Sequence, residues 1–402
     1  MSRHLGLILV CTLAQVDIAD KLVRMDMSFK MTRASEAYPD PMVNFKADGQ
    51  SIYALVDTGI DATFFVWRKW YENNHQDCAQ LIFGCYECIP PCKEGPTKKI
   101  VFADGHEVDI FKHTGKLDLN GGVSTSLDFG LVAAYDHDAA TIWASLGLAA
   151  SDPLTALCKS VIEQLYDKKI ITGTSFSIYF TAGDNPSGEL ILGGDDPSKH
   201  AGPLSYVQIV DREDFSFQVL GLTIGTDPKN TIAMVKPACL DTGSMVIFMN
   251  RKFKSQVITR LQTAGEKKVQ IKETPKKNLY ISCSDAPNLP SMTFLAKGLK
   301  GEKVALVIPA SNLVLRAQGD VCLVRVRFDG DDDVTLGVNA ILGNYFYFDR
   351  DNNKIGFAMA RRHLEPFNTN AHKEPSGVVY NMNVRLEGAF GDRSYINAKV
   401  KI

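Results

Sequence analysis

No stretch of this 402-residue chain is apolar for long enough to cross a bilayer. Leu5–Leu13 runs nine residues against the ~20 that a spanning helix needs, and no later run approaches that length. Charge of one sign is missing too. The 44 lysines and arginines stand against 46 aspartates and glutamates, which gives no basis for a nucleic-acid or membrane-surface partner. No Asn-x-Ser/Thr sequon with a non-proline middle residue occurs, so N-glycosylation is not expected. No histidine falls among the clustered Cys78, Cys85, Cys88 and Cys92, whose spacing resembles a zinc site only loosely.

What is present points to an exported protein with two cores. A 45% hydrophobic content over this length can fill two substantial lobes. Met1–Ala14 has Arg3 and His4, then the apolar run, then Thr12-Leu13-Ala14 as a small-residue cleavage signal. This is the layout of a secretory signal peptide, with a buried first strand as the alternative. Removing Cys11 with the signal leaves eight cysteines, an even set that suggests disulfides. Two local disulfides are favoured over a metal for the four-cysteine loop. Cys158 and Cys239 then form a pair or remain free thiols.

The most informative stretch is Ala238–Met249, in which apolar residues enter and leave the small turn Asp241-Thr242-Gly243-Ser244. That pattern sets a carboxylate at the tip of a tight turn between buried strands. Glycine permits the reversal, and Thr242 and Ser244 offer hydroxyls that can tie down the carboxylate. Ala54–Val66 repeats it with Asp57-Thr58-Gly59, 184 residues earlier. Each copy is followed, roughly 90 to 100 residues on, by an apolar-Leu-Gly step, Ser145-Leu146-Gly147 and Ile341-Leu342-Gly343. A repeated block of this size indicates two related lobes, each presenting one carboxylate.

Over residues 40–362 the chain resembles the pepsin-like aspartic proteases. Besides the two triplets, Glu189–Gly194 followed by Gly202–Val207 is similar to that family's passage between lobes. Ile281–Ser284 with Leu289-Pro290 resembles its second-lobe disulfide segment, and Phe348–Phe357 its closing hairpin. The resemblance implies an all-β, bilobal double β-barrel with a few short helices and an active-site cleft between the lobes. It implies Asp57 and Asp241 as a catalytic pair that activates water to hydrolyse peptide bonds, with no cofactor and no metal. Thr58, Gly59, Thr242, Gly243 and Ser244 would support the two turns. It also implies a Cys283–Cys322 disulfide, a peptide or protein substrate, and a monomer that is secreted or delivered to a lysosome-like compartment.

The expected organisation is a signal over 1–14, a first lobe over 15–198, a second over 199–362, and an extension over 363–402 whose role the sequence does not give. Within the extension, Val378–Leu386 and Ser394–Ile402 alternate as a hairpin would. A signal of about 14 residues leaves little beyond the first strands before Asp57, so no removable propeptide is expected. Lys99–Val108 reads as a hairpin around Asp104-Gly105, and its position matches the family's flap, with Phe102 in place of tyrosine. Pro153–Ile171 is spaced for a helix capped by Asp152. Asp329–Asp333 holds four aspartates and reads as a solvated turn in preference to a calcium loop.

Four departures from the family pattern accompany the resemblance. Ile60 stands where a hydroxyl normally follows the first triplet, and Phe102 lacks the flap tyrosine's hydroxyl. Phe64 replaces the tryptophan that partners that tyrosine. The path from Gly343 to Asp349 is about six residues short, which implies a lost helical turn. Ile60, Phe64 and Phe102 would make the cleft apolar near the cut. The two readings that follow are an aspartic endopeptidase with an altered, slower site, and a weak or inactive relative that binds peptides or proteins in the same cleft.

Overall fold

The computed structural model describes residues 21–32, 38–103, 105–182, 186–211, 214–317, 319–330, 332–361 and 400–401. The expected signal peptide, Asp104 and nearly all of the extension lie outside the described residues. The fold is built of β-strands with a few short helices, as expected. Most strands join one 21-stranded sheet, and residues 272–324 contribute a separate four-stranded one. No helix among the described residues is long and apolar enough to cross a membrane.

A platform of six strands joins the two halves. Val23–Lys30 pairs with Ser187–Leu192, which pairs with Phe176–Phe180. The chain then continues through Asn344–Asp349 and Lys354–Ala360 to His200–Asp211, each antiparallel to the last. Val23–Lys30 alternates as a half-buried strand does, whereas Phe176–Phe180 is buried on both faces at the centre. The Phe176 and Phe348 rings stack at 4.5 Å where the halves meet. One hydrophobic cluster runs from Met25 and Phe45 through to Phe294 and Leu306.

Each half carries the same local device. Gln50–Asp57 delivers the first aspartate, and Ser145–Gly147 lies parallel beside it, Val56 opposite Leu146 and Asp57 opposite Gly147. Thr231–Leu240 delivers the second, with Val334–Leu336 parallel beside it, Leu240 opposite Leu336. The strand leaving each turn, Phe64–Phe65 or Ile247–Phe248, packs antiparallel on the other side of that segment.

The second half therefore uses Thr335-Leu336-Gly337, not Ile341-Leu342-Gly343. A Cβ at Gly147 would lie 2.6 Å from the Ala62 carbonyl, and one at Gly337 would lie 2.4 Å from that of Ser244. Both steps need glycine because another backbone crosses there. The correction removes the fourth departure. A short helix, Val338–Ile341, follows Gly337, and the strand Asn344–Asp349 begins after it. No helical turn has been lost.

The helix expected over Pro153–Ile171 is confined to Val161–Asp167. Ser160 and Glu163 close a capping box that starts it, whereas Asp152 caps a separate turn through the Leu154 N–H at 2.9 Å. Leu154, which a helix over the whole stretch would place on its apolar face, is exposed. The acidic turn is neutralised by cations: Asp329 pairs with Arg327, and Asp332 with Lys236 and Lys252.

Three disulfides are present, Cys78–Cys85, Cys88–Cys92 and Cys283–Cys322. They match the two local bridges and the second-lobe bridge expected from the sequence. Cys158 and Cys239 take part in no disulfide, and Cys239 Sγ donates to Thr335 Oγ1 at 3.6 Å. Of the extension, Val400–Lys401 forms a strand on the outer edge of Thr97–Phe102, Val400 opposite Phe102.

Candidate active site

The two aspartate turns meet at the centre of the molecule. Thr58 N–H donates to Thr242 Oγ1 and Thr242 N–H to Thr58 Oγ1, each at 3.0 Å. Each hydroxyl in turn donates across the junction, Thr58 Oγ1 to the Leu240 carbonyl at 2.7 Å and Thr242 Oγ1 to that of Val56 at 2.6 Å. All of these groups are buried, so the crossed bonds satisfy polar atoms that would otherwise be orphaned.

This clasp sets the carboxylates face to face. Gly59 N–H donates to Asp57 Oδ1 and Gly243 N–H to Asp241 Oδ1, both at 2.8 Å. The glycines also abut the opposite acid. A Cβ on Gly243 would sit 2.7 Å from both oxygens of Asp57, and one on Gly59 would sit 2.9 Å from Asp241 Oδ1. Both aspartates are almost fully buried.

The pair is not symmetric. Ser244 Oγ donates to Asp241 Oδ2 at 2.6 Å. Ile60, at the matching position, is a buried hydrocarbon whose carbonyl accepts from Ala149 N–H. Burial raises the Asp57 carboxyl well above the usual carboxylate range, and the charge of Asp241 beside it raises it further; the Gly59 N–H offsets only part. The two carboxyls thus hold protons as a coupled pair, in which only Asp241 has a hydroxyl donor.

Thr97–Phe102 and Glu107–Leu119 pair as the hairpin expected from the sequence. Gly105, with φ +90°, donates to the Phe102 carbonyl at 2.9 Å, and Phe102 N–H donates to that of His106 at 2.8 Å. Asp104 falls outside the described residues. Phe102 and Phe64 are buried, and the sequence pattern pairs them directly. Instead both pack on Trp143, at ring-centroid distances of 4.9 Å and 6.2 Å. Trp143 was missed, although it stands two residues before the Ser145-Leu146-Gly147 step. Ile60, Phe64 and Phe102 are all buried in this closed arrangement.

Arg325 was also missed. It is buried, and its Nε and Nη2 donate to the Met245 carbonyl at 3.0 and 2.7 Å, fixing the exit of the second turn. Burial lowers its pKa to about 10, partly offset by Tyr38. No sequence signal marks it, because arginine is an unusual choice for a core.

Residues 44–360 match the family model described as eukaryotic aspartyl protease. Over 262 residues the chain is 24% identical to an acid protease of Saccharomycopsis fibuligera, covering 61% of this chain and 62% of that one. It is 27% identical over 213 residues to renin-2 of Mus musculus, covering 50% and 49%. It is 29% identical over 217 residues to cathepsin D of Gallus gallus, covering 52% and 50%. The chain thus spans less than two thirds of the length of these curated relatives.

Proposed function

Since the chain belongs to the eukaryotic aspartyl protease family, we propose that it is an aspartic endopeptidase in which Asp241 is the base and Asp57 the acid. The observation that carries this reading is the facing pair, held by a clasp that does not itself consume the outer carboxylate oxygens. Water attacks the scissile carbonyl carbon while Asp241 takes a proton from it, and Asp57 gives its proton to the carbonyl oxygen. In the tetrahedral intermediate Asp241 returns its proton to the amide nitrogen, the C–N bond breaks, and Asp57 is reprotonated from the hydroxyl. General acid and base catalysis of this kind contributes roughly 10²–10⁴-fold for each group.

The substrate is an extended peptide or protein segment under the hairpin, with Thr58, Gly59, Thr242, Gly243 and Ser244 holding the reacting pair. Phe102 and Gly105 belong to the flap, with Asp104 at its tip by sequence and Phe64 beneath it. Because Ile60, Phe64 and Phe102 are apolar, side chains flanking the cut are apolar once the flap lifts. One chain supplies both aspartates, which supports action as a monomer. Three disulfides support folding in the secretory pathway, for a secreted or lysosome-like destination.

The missing hydroxyl at Ile60 makes the site slower, and it is the specific observation that favours the second reading, a cleft that binds without cutting. A mixed peptide library incubated from about pH 3 to about pH 7 separates the two, with a statine-type transition-state mimic as inhibitor. The endopeptidase reading requires cleavage by wild type that the mimic blocks and that Asp241→Asn abolishes. Folded protein that binds peptides and cleaves none at any pH establishes the second.

A further inference from the structure

Residues that are distant in sequence converge at the base of the flap. His106 leaves the flap tip, and Asp136 and His137 follow the end of the strand Val123–Tyr135, which pairs with the flap's returning strand. One donor atom from each of His106, Asp136 and His137 lies within 4.8 Å of the others. The two imidazoles stack at 3.6 Å with planes only 10° apart.

Each group is already oriented. Tyr135 Oη lies 2.7 Å from His106 Nδ1, the contact to one ring nitrogen that fixes which nitrogen is turned elsewhere. Asp136 Oδ1 accepts from the Glu107 N–H at 2.9 Å and lies 2.7 Å from His137 Nδ1. Asp136 and His137 are solvent-accessible, so an ion can reach them.

We propose that His106, Asp136 and His137 form a binding site for a divalent transition-metal ion of the zinc class that clamps the flap to the neighbouring strand. Two imidazoles and one carboxylate are a ligand set this class prefers, with water completing the shell. Zinc–ligand bonds of about 2.0–2.2 Å place ligand atoms roughly 3–4.4 Å apart, so the two stacked rings must turn out of their parallel arrangement for both in-plane lone pairs to reach one ion. The site acts on the flap because Phe102 N–H is bonded to the carbonyl of His106 itself. An ion on His106 therefore restrains the residue that pairs with the flap's buried aromatic. Metal binding slows flap opening, and if the proposed endopeptidase activity holds, it slows cleavage.

The binding arm does not depend on that activity. Zn²⁺ alone is titrated calorimetrically into the chelator-treated full chain, its His106→Ala and His137→Ala variants, and His75→Ala as a surface control. Circular dichroism confirms that each variant is folded. The proposal expects one site in wild type and in His75→Ala, weakened about tenfold or more in each of the other two. It also expects Zn²⁺ to slow amide exchange over residues 97–110 in wild type and in His75→Ala, and not in the other two variants. No binding at millimolar Zn²⁺, or binding equally strong in His106→Ala and His137→Ala, overturns it. In the latter case the ion sits elsewhere on the chain.

Discussion

Ser244 donates to Asp241 at 2.6 Å, while Ile60 offers Asp57 no hydroxyl at all. A hydrogen bond to a charged group is worth about 1.5–3 kcal/mol. Ser244→Ala should therefore lower kcat by roughly tenfold to a hundredfold. It should also move the acid limb of the pH–rate profile upward, because the Asp241 carboxylate loses a donor. Ile60→Thr should move the alkaline limb downward, since a new donor to ionised Asp57 lowers the pH at which the shared proton is lost. Profiles of kcat/KM against pH check both, and limbs that stay fixed in both variants would refute the assigned roles.

Gly243→Ala tests how closely the turns are packed. Its Cβ would lie 2.7 Å from both Asp57 oxygens, nearer than nonbonded carbon and oxygen approach. Asp57 or the turn must move by several tenths of an ångström, and since a misplacement of about 1 Å costs about a hundredfold, kcat/KM should fall by up to that factor. Steady-state kinetics alongside circular dichroism should show lost rate in a folded protein.

The two aspartate turns were legible in the sequence because Asp-Thr-Gly sits each time between apolar runs, and local chemistry alone defines that turn. The step after the second turn was not. Leu336-Gly337 and Leu342-Gly343 stand six residues apart, and Ile341 makes the second more apolar, but strand pairing with Leu240 selects the first. The helix starting at Ser160 had a local mark in Ser160 and Glu163, which the longer apolar periodicity through Leu154 obscured. Trp143, Arg325 and the His106–His137 stack depend on strand register across tens of residues, and no local pattern encodes register.

The threonine clasp should contribute measurably to stability where the two turns meet. Thr58→Val keeps the shape of the side chain but orphans the Thr242 N–H and the Leu240 carbonyl, both buried. Each orphaned group costs about 1–3 kcal/mol. Urea unfolding should show a lower midpoint for Thr58→Val with an unchanged slope. Thr58→Ser, which restores the hydroxyl, should recover most of the loss. Recovery by serine separates the hydrogen bonds from simple packing.

Asp57→Asn separates function from stability most sharply. The folded Asp57 carboxyl sits well above its unfolded value, chiefly through burial and then through the charge of Asp241. The unfolded chain therefore ionises first as pH rises, and the folded state holds the extra proton. Below the unfolded aspartate range the two states bind equally, and the group favours folding fully. As pH climbs towards the raised folded value that favour is lost progressively, and above it the buried charge is a standing penalty. Asparagine carries no such charge. Asp57→Asn should thus abolish cleavage, match wild type in thermal stability at acid pH, and exceed it increasingly toward neutrality. Thermal melts of both proteins across that range decide the matter. A stability difference that does not change with pH would mean that Asp57 is not the partner holding the shared proton.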